Sequence, residues 1–197
     1  HYMETAAGDT SIGHTTAYCH ALEALGKIEV TRNTHYIRAL ALELERLANH
    51  IGDLAALAND VGYLPTSSFC GRLRGDILNL TAILCGNRLG RNLIRPGGIF
   101  GHVTLFSIKK ISEILQEVLP NLKGAIDLLW NTASVMSRFE GTGTLTKQAC
   151  LQFGIVGVAA RASGLTEDVR KDLPHGAYKE IPIKLARKIS GDVYARA

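Results

Sequence analysis

The longest stretch of helical periodicity runs from Ile37 to Gly62. Apolar residues recur there every three or four positions, which places them along one side of an α-helix of about seven turns. Another side of this helix carries a polar stripe with the same period, made up of Glu43, Arg46, His50, Asp53 and Asp60. The stripe is interpreted either as a salt-bridged outer face, since charged residues are rarely buried, or as a polar seam inside a bundle or at a partner interface.

Further helical stretches lie on both sides of this one. A helix is expected from His14 to Leu25, where Gly26 can stop it. Thr34 is the expected N-cap of the long helix. After that helix, a loop over residues 63–68 is expected to lead into a second long helix.

The second long helix is expected to end at the turn Arg95-Pro96-Gly97-Gly98, because an X-Pro step followed by two glycines favours a tight turn. A third helical phase spans residues 108–136 and keeps its period across Pro120. At Pro120 either one helix kinks or a second helix starts with proline in its first turn.

The chain changes character after Arg138, where Gly, Ala and Thr become frequent. A short helical run is expected over residues 145–150, and a strand or loop around Ile181. The predicted fold is mainly α: a bundle of long antiparallel helices with a small α+β segment after residue 138. Residues 4–197 are predicted to form a single domain, and residues 1–3 are a candidate remnant of an expression tag.

Composition excludes several classes of protein. Of the 197 residues, 46% are hydrophobic and 20% charged, which is typical of a globular chain and excludes disorder. The net charge of +4, the aromatic content of 6% and the lack of a basic–aromatic cluster argue against nucleic-acid binding. The sequence has no signal-peptide pattern and no apolar run of about 18 residues, so no segment is predicted to span a bilayer.

Common catalytic and metal-binding motifs are missing. No C-x-x-C pair occurs among the scattered cysteines Cys19, Cys70, Cys85 and Cys150, which suit reduced thiols in a cytosolic protein. The glycines at 141–143 and 154–157 lack dinucleotide-binding spacing, and Ser163 lacks a G-x-S-x-G context. No H-x-x-x-H pair occurs either. The residues by themselves predict a helical bundle with a polar seam.

Five ordered blocks of sequence do resemble a known family. They are GDTSIGHTTAYCHALEALGKIEV, ELERLANHIGDLAALANDVG, CGNRLGRNLIRPGG, LTKQACLQFGIVGVAARASGLTEDVRKDLPHGAY and GDVYAR. Together they cover most of the chain. Their order and spacing resemble the large subunit of membrane-bound, formate-hydrogenlyase-type (group 4) nickel–iron (NiFe) hydrogenases and its relative, the 49-kDa subunit of respiratory complex I (NADH:quinone oxidoreductase).

The chain departs from the hydrogenase pattern at the metal site. Hydrogenases carry E-R-x-C-G-x-C-x-x-x-H here, and Ala7 and Thr10 occupy the positions where the two cysteine ligands are expected. A methyl group cannot ligate, and a neutral hydroxyl is a poor substitute for a thiolate. His14 matches the family histidine that sits beside the metal thiolates. The expectation is that these residues form no nickel site.

The resemblance implies roles for several other residues. His50 and Asp60 match polar positions of the family's LNH…D-x-G helix. Arg95 matches the RPGG turn, and Arg161 matches the ARASG arginine that faces the former metal cavity. Leu57 stands where complex I subunits often have a histidine, which puts a proton-coupling role at that position in doubt.

Two functions follow from the resemblance. The first is an oxidoreductase subunit that passes electrons from a partner's iron–sulfur cluster to a quinone-like acceptor, with proton coupling. The residues that would relay protons or position the acceptor are Glu43, Arg46, His50 and Asp53. The second function is that of a non-catalytic structural or assembly subunit. An enclosed cavity shared by His14, Asp60 and Arg161 would favour the first function, and dispersed surface positions the second.

An intact nickel–iron hydrogenase is a third alternative, which Ala7 and Thr10 oppose. The chain is expected to be an inactive piece of a larger subunit when isolated, because the family's pattern continues beyond Ala197. It is expected to bind no cofactor of its own. Its expected partners are a small iron–sulfur subunit and membrane subunits, with the complex on the cytoplasmic side of the membrane.

Overall fold

Four long helices carry the fold in the computed structural model, which describes residues 1–197. They are α1 (Ser11–Gly26), α2 (Arg32–Asp60), α3 (Leu64–Cys85) and α4 (Leu105–Trp130). Between α3 and α4 lies a two-stranded antiparallel hairpin, β1 (Ile94–Arg95) and β2 (Gly98–Ile99). Five short helices follow: α5 (Ala133–Phe139), α6 (Lys147–Phe153), α7 (Gly157–Ala162), α8 (Val169–Asp172) and α9 (Val193–Arg196). Single 3-10 turns occur at Met3–Thr5 and Gly176–Lys179.

The long helices pack antiparallel to their neighbours in sequence. The start of α1 contacts the middle of α2 through Ile12 and Glu45, whereas the end of α1 contacts the beginning of α2 through Glu23 and Arg38. At the start of α3, the Thr66 hydroxyl donates to a carbonyl near the end of α4. The apolar sides of the four helices, together with Leu93 and Ile94 at the hairpin, form one core of 17 buried residues. The mainly α class and the antiparallel bundle are therefore confirmed.

Several predicted boundaries move in the structure. Helix α2 begins at Arg32, because Thr31, not Thr34, is its N-cap: the Thr31 hydroxyl accepts a hydrogen bond from the Thr34 backbone N–H. Both threonines suit a cap, and they are three residues apart, which is the spacing of an N-cap and its donor. Helix α1 starts three residues earlier than expected, and the left-handed residue that ends it is Lys27.

The expected loop over residues 63–68 is wrong, since α3 already starts at Leu64 with Pro65 in its first turn. Proline is tolerated there because the first helical N–H groups have no intrahelical partner. The helix ends at Cys85, about ten residues before the Arg95-Pro96-Gly97-Gly98 turn, which instead closes the hairpin. At Pro120 one helix, α4, continues without a new start.

The strands lie at a different place in the sequence from the predicted one. The two strands of the protein lie within residues 94–99, and none follows Arg138. The residues around Ile181 form a loop, one of the two forms expected there. After Arg138 the chain consists of short helices, turns and loops that pack beside α2. No helix of the protein combines the length and hydropathy needed to cross a membrane.

A buried ion pair joins α1, α2 and the hairpin. Arg38 is 2% exposed and makes two parallel hydrogen bonds to Glu23, of 3.0 and 2.7 Å. Its guanidinium also donates to the carbonyls of Arg95 and Gly98, while the Gly97 N–H donates to Glu23. Although burial opposes ionisation, the hydrogen bonds from Arg38 and Gly97 hold the pKa of Glu23 below its usual value. The two charges of this pair thus compensate each other, and almost all of its hydrogen-bonding groups have a partner.

Arg38→Met is expected to lower the free energy of unfolding by about 3–5 kcal/mol, because it leaves the Glu23 carboxylate buried without its partner. Denaturant unfolding of the full-length protein measures this loss. The double variant Glu23→Gln/Arg38→Met should lose less, since it leaves no unpaired buried charge.

The matched control is Arg72→Met, which removes an exposed arginine that pairs with Asp76 one turn along α3. Such pairs contribute about 0.3–0.5 kcal/mol, so the control should be nearly neutral. Equal losses for Arg38→Met and Arg72→Met would contradict the importance assigned to the buried pair.

Candidate functional site

The Glu43 carboxylate collects donors from three separate parts of the chain. Arg46, one turn along α2, donates to it through Nε at 3.0 Å and also through Nη2. The Tyr178 hydroxyl donates at 2.8 Å, and Arg170 donates from α8 at 3.2 Å. Although burial opposes it, these donors hold the pKa of Glu43 below its usual value. Glu43 therefore stays ionised and ties α2 to the C-terminal part of the chain.

Arg170 extends this contact to a second carboxylate. It makes two hydrogen bonds to Asp168, of 2.9 and 2.7 Å, and the Arg161 guanidinium lies 3.6 Å from the same carboxylate. The Arg170 hydrogen bond is the main reason that the pKa of Asp168 falls to about 2. Burial and the bond to Glu43 raise the pKa of Tyr178. The set Glu43, Arg46, Arg161, Asp168, Arg170 and Tyr178 is called the arginine–carboxylate cluster below.

Sequence reasoning missed half of this cluster, namely Asp168, Arg170 and Tyr178. A signal was present, because residues 167–172 combine acidic and basic side chains within a block that also carried the family resemblance. Asp168 caps α8 through the Arg170 N–H, so the D-x-R spacing itself allows the carboxylate to hold both the backbone and the guanidinium of one residue.

His50 lies at the edge of the cluster. Its Nε2 is 3.5 Å from Nη1 of Arg46, and its side chain is half-buried. Burial lowers the pKa of His50, and the positive charge of Arg46 lowers it further. Asp53, one turn further along α2, is exposed and opposes this shift. A neutral imidazole beside guanidinium groups can accept a proton, but it gains no stabilisation of its charged form from them.

The polar stripe of α2 thus has two environments. Its first part, from Glu43 to His50, is partly covered by the C-terminal segment, which agrees with the polar-seam interpretation. Its second part, Asp53 and Asp60, is exposed, which agrees with the outer-face interpretation.

Three predicted site residues lie away from the cluster. His14 is exposed on α1, and Asp60 is exposed at the end of α2. Arg95 lies on the hairpin, where it donates to Asn92 at 2.6 Å and stacks on the Phe100 ring at 4.3 Å. None of His14, Asp60 and Arg161 lines either of the two cavities described below. Their dispersal favours a structural function.

A different cavity lies at the N-terminus of α1, next to Thr10. The Glu45 carboxylate closes this helix end by accepting the N–H groups of Ile12 at 2.7 Å and Gly13 at 2.9 Å. Burial raises the pKa of Glu45 despite these two hydrogen bonds. The walls of the cavity combine apolar and polar side chains: Asp9, Ile12, Glu45, Ala48, Asn49, Leu78, Thr81, Arg88 and Leu89. It is called the α1-end cavity below.

The α1-end cavity has a volume of about 10 Å³, which is room for about one water molecule, so by itself it does not hold a larger ligand. It combines apolar walls with a few polar groups, among them the Glu45 carboxylate, whose pKa burial raises. Neither there nor elsewhere in residues 1–197 do three His, Cys, Asp or Glu side chains converge in a way that could hold a metal ion. The absence of a nickel site at Ala7 and Thr10 remains a prediction.

Asp168→Asn is expected to lower the free energy of unfolding at pH 7 by about 2 kcal/mol, because it removes a charge whose pKa is about 2 in the fold against an ordinary value of 3.8. Asparagine can still cap α8, but it loses the charge and one of the two oxygens that accept hydrogen bonds from Arg170. Since the folded pKa is the lower one, the contribution is complete above about pH 4 and is lost as the pH falls towards 2.

Denaturant unfolding at pH 7 and at steps between pH 4 and 2 measures both effects, and the variant should show the flatter acid profile. Asp127→Asn is the control, since Asp127 is an exposed α4 carboxylate outside any ion pair. If Asp168→Asn and Asp127→Asn gave the same profile, the buried pairing of Asp168 would not contribute to acid stability.

Comparison with known proteins covers nearly the whole chain. The D subunit of the NADH-quinone oxidoreductase of Campylobacter jejuni (serotype O:6) is 34% identical over 180 residues, which is 91% of this chain and 44% of that protein. The proteins of the same name from Campylobacter curvus and Desulfotalea psychrophila are both 32% identical and cover 94% and 91% of this chain, or 46% and 50% of their own lengths. The chain thus spans about half the length of the curated relatives it matches.

A family match covers the chain from the end of α2 onwards. It includes α3, α4 and the C-terminal segment that contains Arg170 and Tyr178, the partners of Glu43. Residues 60–197 match the family described as "Respiratory-chain NADH dehydrogenase, 49 Kd subunit". This match covers well over half of the chain and agrees with the family that the ordered sequence blocks resemble. The chain belongs to the family of the 49-kDa subunit of respiratory-chain NADH dehydrogenase.

Proposed function

We propose that the chain is part of an oxidoreductase subunit that delivers electrons from a partner's iron–sulfur cluster to a quinone-like acceptor, with uptake of protons. The relatives, which are named as D subunits of NADH-quinone oxidoreductase, support this reaction class. The partners would be a small iron–sulfur subunit and membrane subunits, and the complex would lie on the cytoplasmic side of the membrane. The partner's cluster would supply the electrons.

The single observation that carries the proposal is the position of the α1-end cavity. Asp9 and Thr10 adjoin in sequence, so the cavity lies beside one of the two positions where hydrogenases are expected to carry a cysteine ligand. A quinone ring requires apolar walls together with hydrogen-bonding groups for its oxygens. The cavity has both, but its volume of about 10 Å³ is too small for the ring, which would therefore lie at the mouth of the cavity, within reach of its polar wall groups. Reduction of a quinone to a quinol takes up two electrons and two protons.

Glu45 is the proposed proton donor on this path. Its carboxyl group lies in the cavity wall, and burial raises its pKa, which favours the protonated form that a proton donor needs. The arginine–carboxylate cluster lies on another side of α2, where it fixes the C-terminal segment. The half-buried His50, beside Arg46 at the edge of that cluster, would be a position for proton exchange.

A structural or assembly function is the second candidate, and one observation favours it. His14, Asp60 and Arg161 do not converge, and Arg161 is held by Asp168 in a contact that stabilises the fold. In this case the charge clusters would act only to hold the helices and the C-terminal segment together.

Metal content separates these functions from hydrogenase activity. The full-length protein purified with its native partners is expected to contain iron from the partner's clusters and no nickel, because Ala7 and Thr10 supply no thiolate. Elemental analysis of the complex measures both metals. Nickel near one atom per subunit would overturn the proposal, and a complex without iron would remove its electron source.

Glu45→Gln tests the acceptor site. In the purified complex we expect the rate of reduction of a short-chain ubiquinone analogue to fall by about 100-fold, the typical loss of a general acid. Glutamine can still accept one hydrogen bond at the α1 terminus. Iron content and assembly should stay unchanged, so a loss of rate would report on the reaction.

Glu29→Gln, a change at an exposed carboxylate between α1 and α2, is the control and should leave the rate unchanged. An intact complex in which Glu45→Gln reduces the quinone as fast as the unmodified protein would exclude Glu45 as the proton donor. Failure of the unmodified complex to reduce any quinone analogue would favour the structural function.

A further inference from the structure

A second cavity lies between α1, α2 and the 3-10 turn at Gly176–Lys179. Polar side chains that line it include Thr16, His20, His35, Arg38 and His175. It differs from the α1-end cavity in its walls and does not include any residue placed in the proposed acceptor site.

Three buried atoms without a hydrogen-bond partner point to this cavity. They are Oγ1 of Thr16, Nδ1 of His35 and Nε of Arg38, and no other buried side-chain nitrogen or oxygen in residues 1–197 lacks a partner. All three belong to residues that line this one cavity. Thr16 is 4% exposed and Arg38 2% exposed, so bulk water does not satisfy them. Buried polar groups in proteins are nearly always hydrogen-bonded, which makes three unpaired atoms around one space a sign of a bound ligand.

The size and charge of the cavity restrict the ligand. Its volume of about 10 Å³ is close to the smallest space that holds one water molecule. A metal ion does not fit, because the three histidines do not form a metal-binding set and the Arg38 guanidinium repels a cation. An anion does not fit either, because Glu23 already neutralises Arg38 through two hydrogen bonds.

We propose that the cavity binds a single internal water molecule that bridges Thr16, His35 and Arg38. The Arg38 Nε–H donates to the water oxygen, and the water donates to Nδ1 of His35. The Thr16 hydroxyl supplies the third hydrogen bond. Three partners are typical of a buried water. Burial and the nearby Arg38 charge lower the pKa of His35, which agrees with a neutral ring whose Nδ1 accepts.

The water would link the C-terminal segment to the helices. His175 packs edge-on against the rings of His20, at 4.9 Å, and Tyr178, at 5.5 Å, so the turn covers the cavity. Gly176 comes so close that an added Cβ would lie 3.0 Å from Nδ1 of His35. Tyr178 then continues to Glu43, which connects the water site to the arginine–carboxylate cluster.

Thr16→Val gives a test whose sign separates a hydrated cavity from a dry one. If the water is present, the variant loses a hydrogen bond, and the Tm of the full-length protein should fall by about 2–4 °C. If the cavity is dry, valine removes an unsatisfied buried hydroxyl, and the Tm should rise. A rise, or no change, would overturn the proposal.

Thr15→Val is the matched control, because the neighbouring Thr15 hydroxyl is also buried but donates to the Ser11 carbonyl at 2.6 Å. High-resolution structures of the full-length protein provide the second readout. We expect an ordered water within hydrogen-bond distance of all three atoms in the unmodified protein and in Thr15→Val, and its displacement in Thr16→Val. If Thr16→Val does not fold, the density of the unmodified protein decides: an empty cavity or a different occupant would refute the water.

Discussion

The buried pair between Arg38 and Glu23 is the contact on which the remaining structure depends. The Arg38 guanidinium donates to Glu23 near the end of α1 and to two carbonyls of the hairpin, so one charged group of α2 joins three segments. Removing two charges from water is unfavourable unless their geometry and remaining hydrogen bonds are nearly complete. The hairpin carbonyls and the Gly97 N–H provide most of that completion. The guanidinium nitrogen without a hydrogen-bond partner, Nε of Arg38, belongs to the cavity in which we propose a water molecule.

Helix α2 distributes its charged residues so that each reaches a different neighbour. Arg38 and Glu45 are separated by about two helical turns and therefore lie on the same side, where they contact the two ends of α1. Glu43 lies on another side and contacts Arg170 and Tyr178. One helix thus contacts both α1 and the C-terminal segment, and both cavities described above lie on its α1 side.

The relation between stability and function follows from this arrangement. Arg161, expected from the family resemblance to face a metal cavity, is held by Asp168 in a contact that supports the fold. Glu45, by contrast, has no arginine partner, and burial keeps its pKa raised although two backbone N–H groups of α1 donate to it. A carboxyl group that no ion pair stabilises is better suited to exchange a proton than one whose pKa is held near 2. This contrast supports the proposal of an acceptor site next to the α1-end cavity, with the arginine–carboxylate cluster stabilising the fold.

The helical class, the long helix α2 and its polar stripe could all be predicted from the amino-acid sequence, because they depend on the spacing of residues that are close along the chain. The family could be predicted as well, through blocks whose order spans most of the chain. Two boundaries could not be predicted: which threonine caps α2, and where α3 ends. Several nearby residues suit each of these positions. Which charges meet is a property of the folded chain alone: Glu43 pairs with Arg170 across 127 positions of sequence, and Arg38 pairs with Glu23 across 15. Periodicity shows that a residue lies on a given side of a helix, but it carries no information about the segment that packs there. For the same reason the three unpaired atoms of the water cavity, which come from two helices covered by a distant turn, become visible only once the chain is folded.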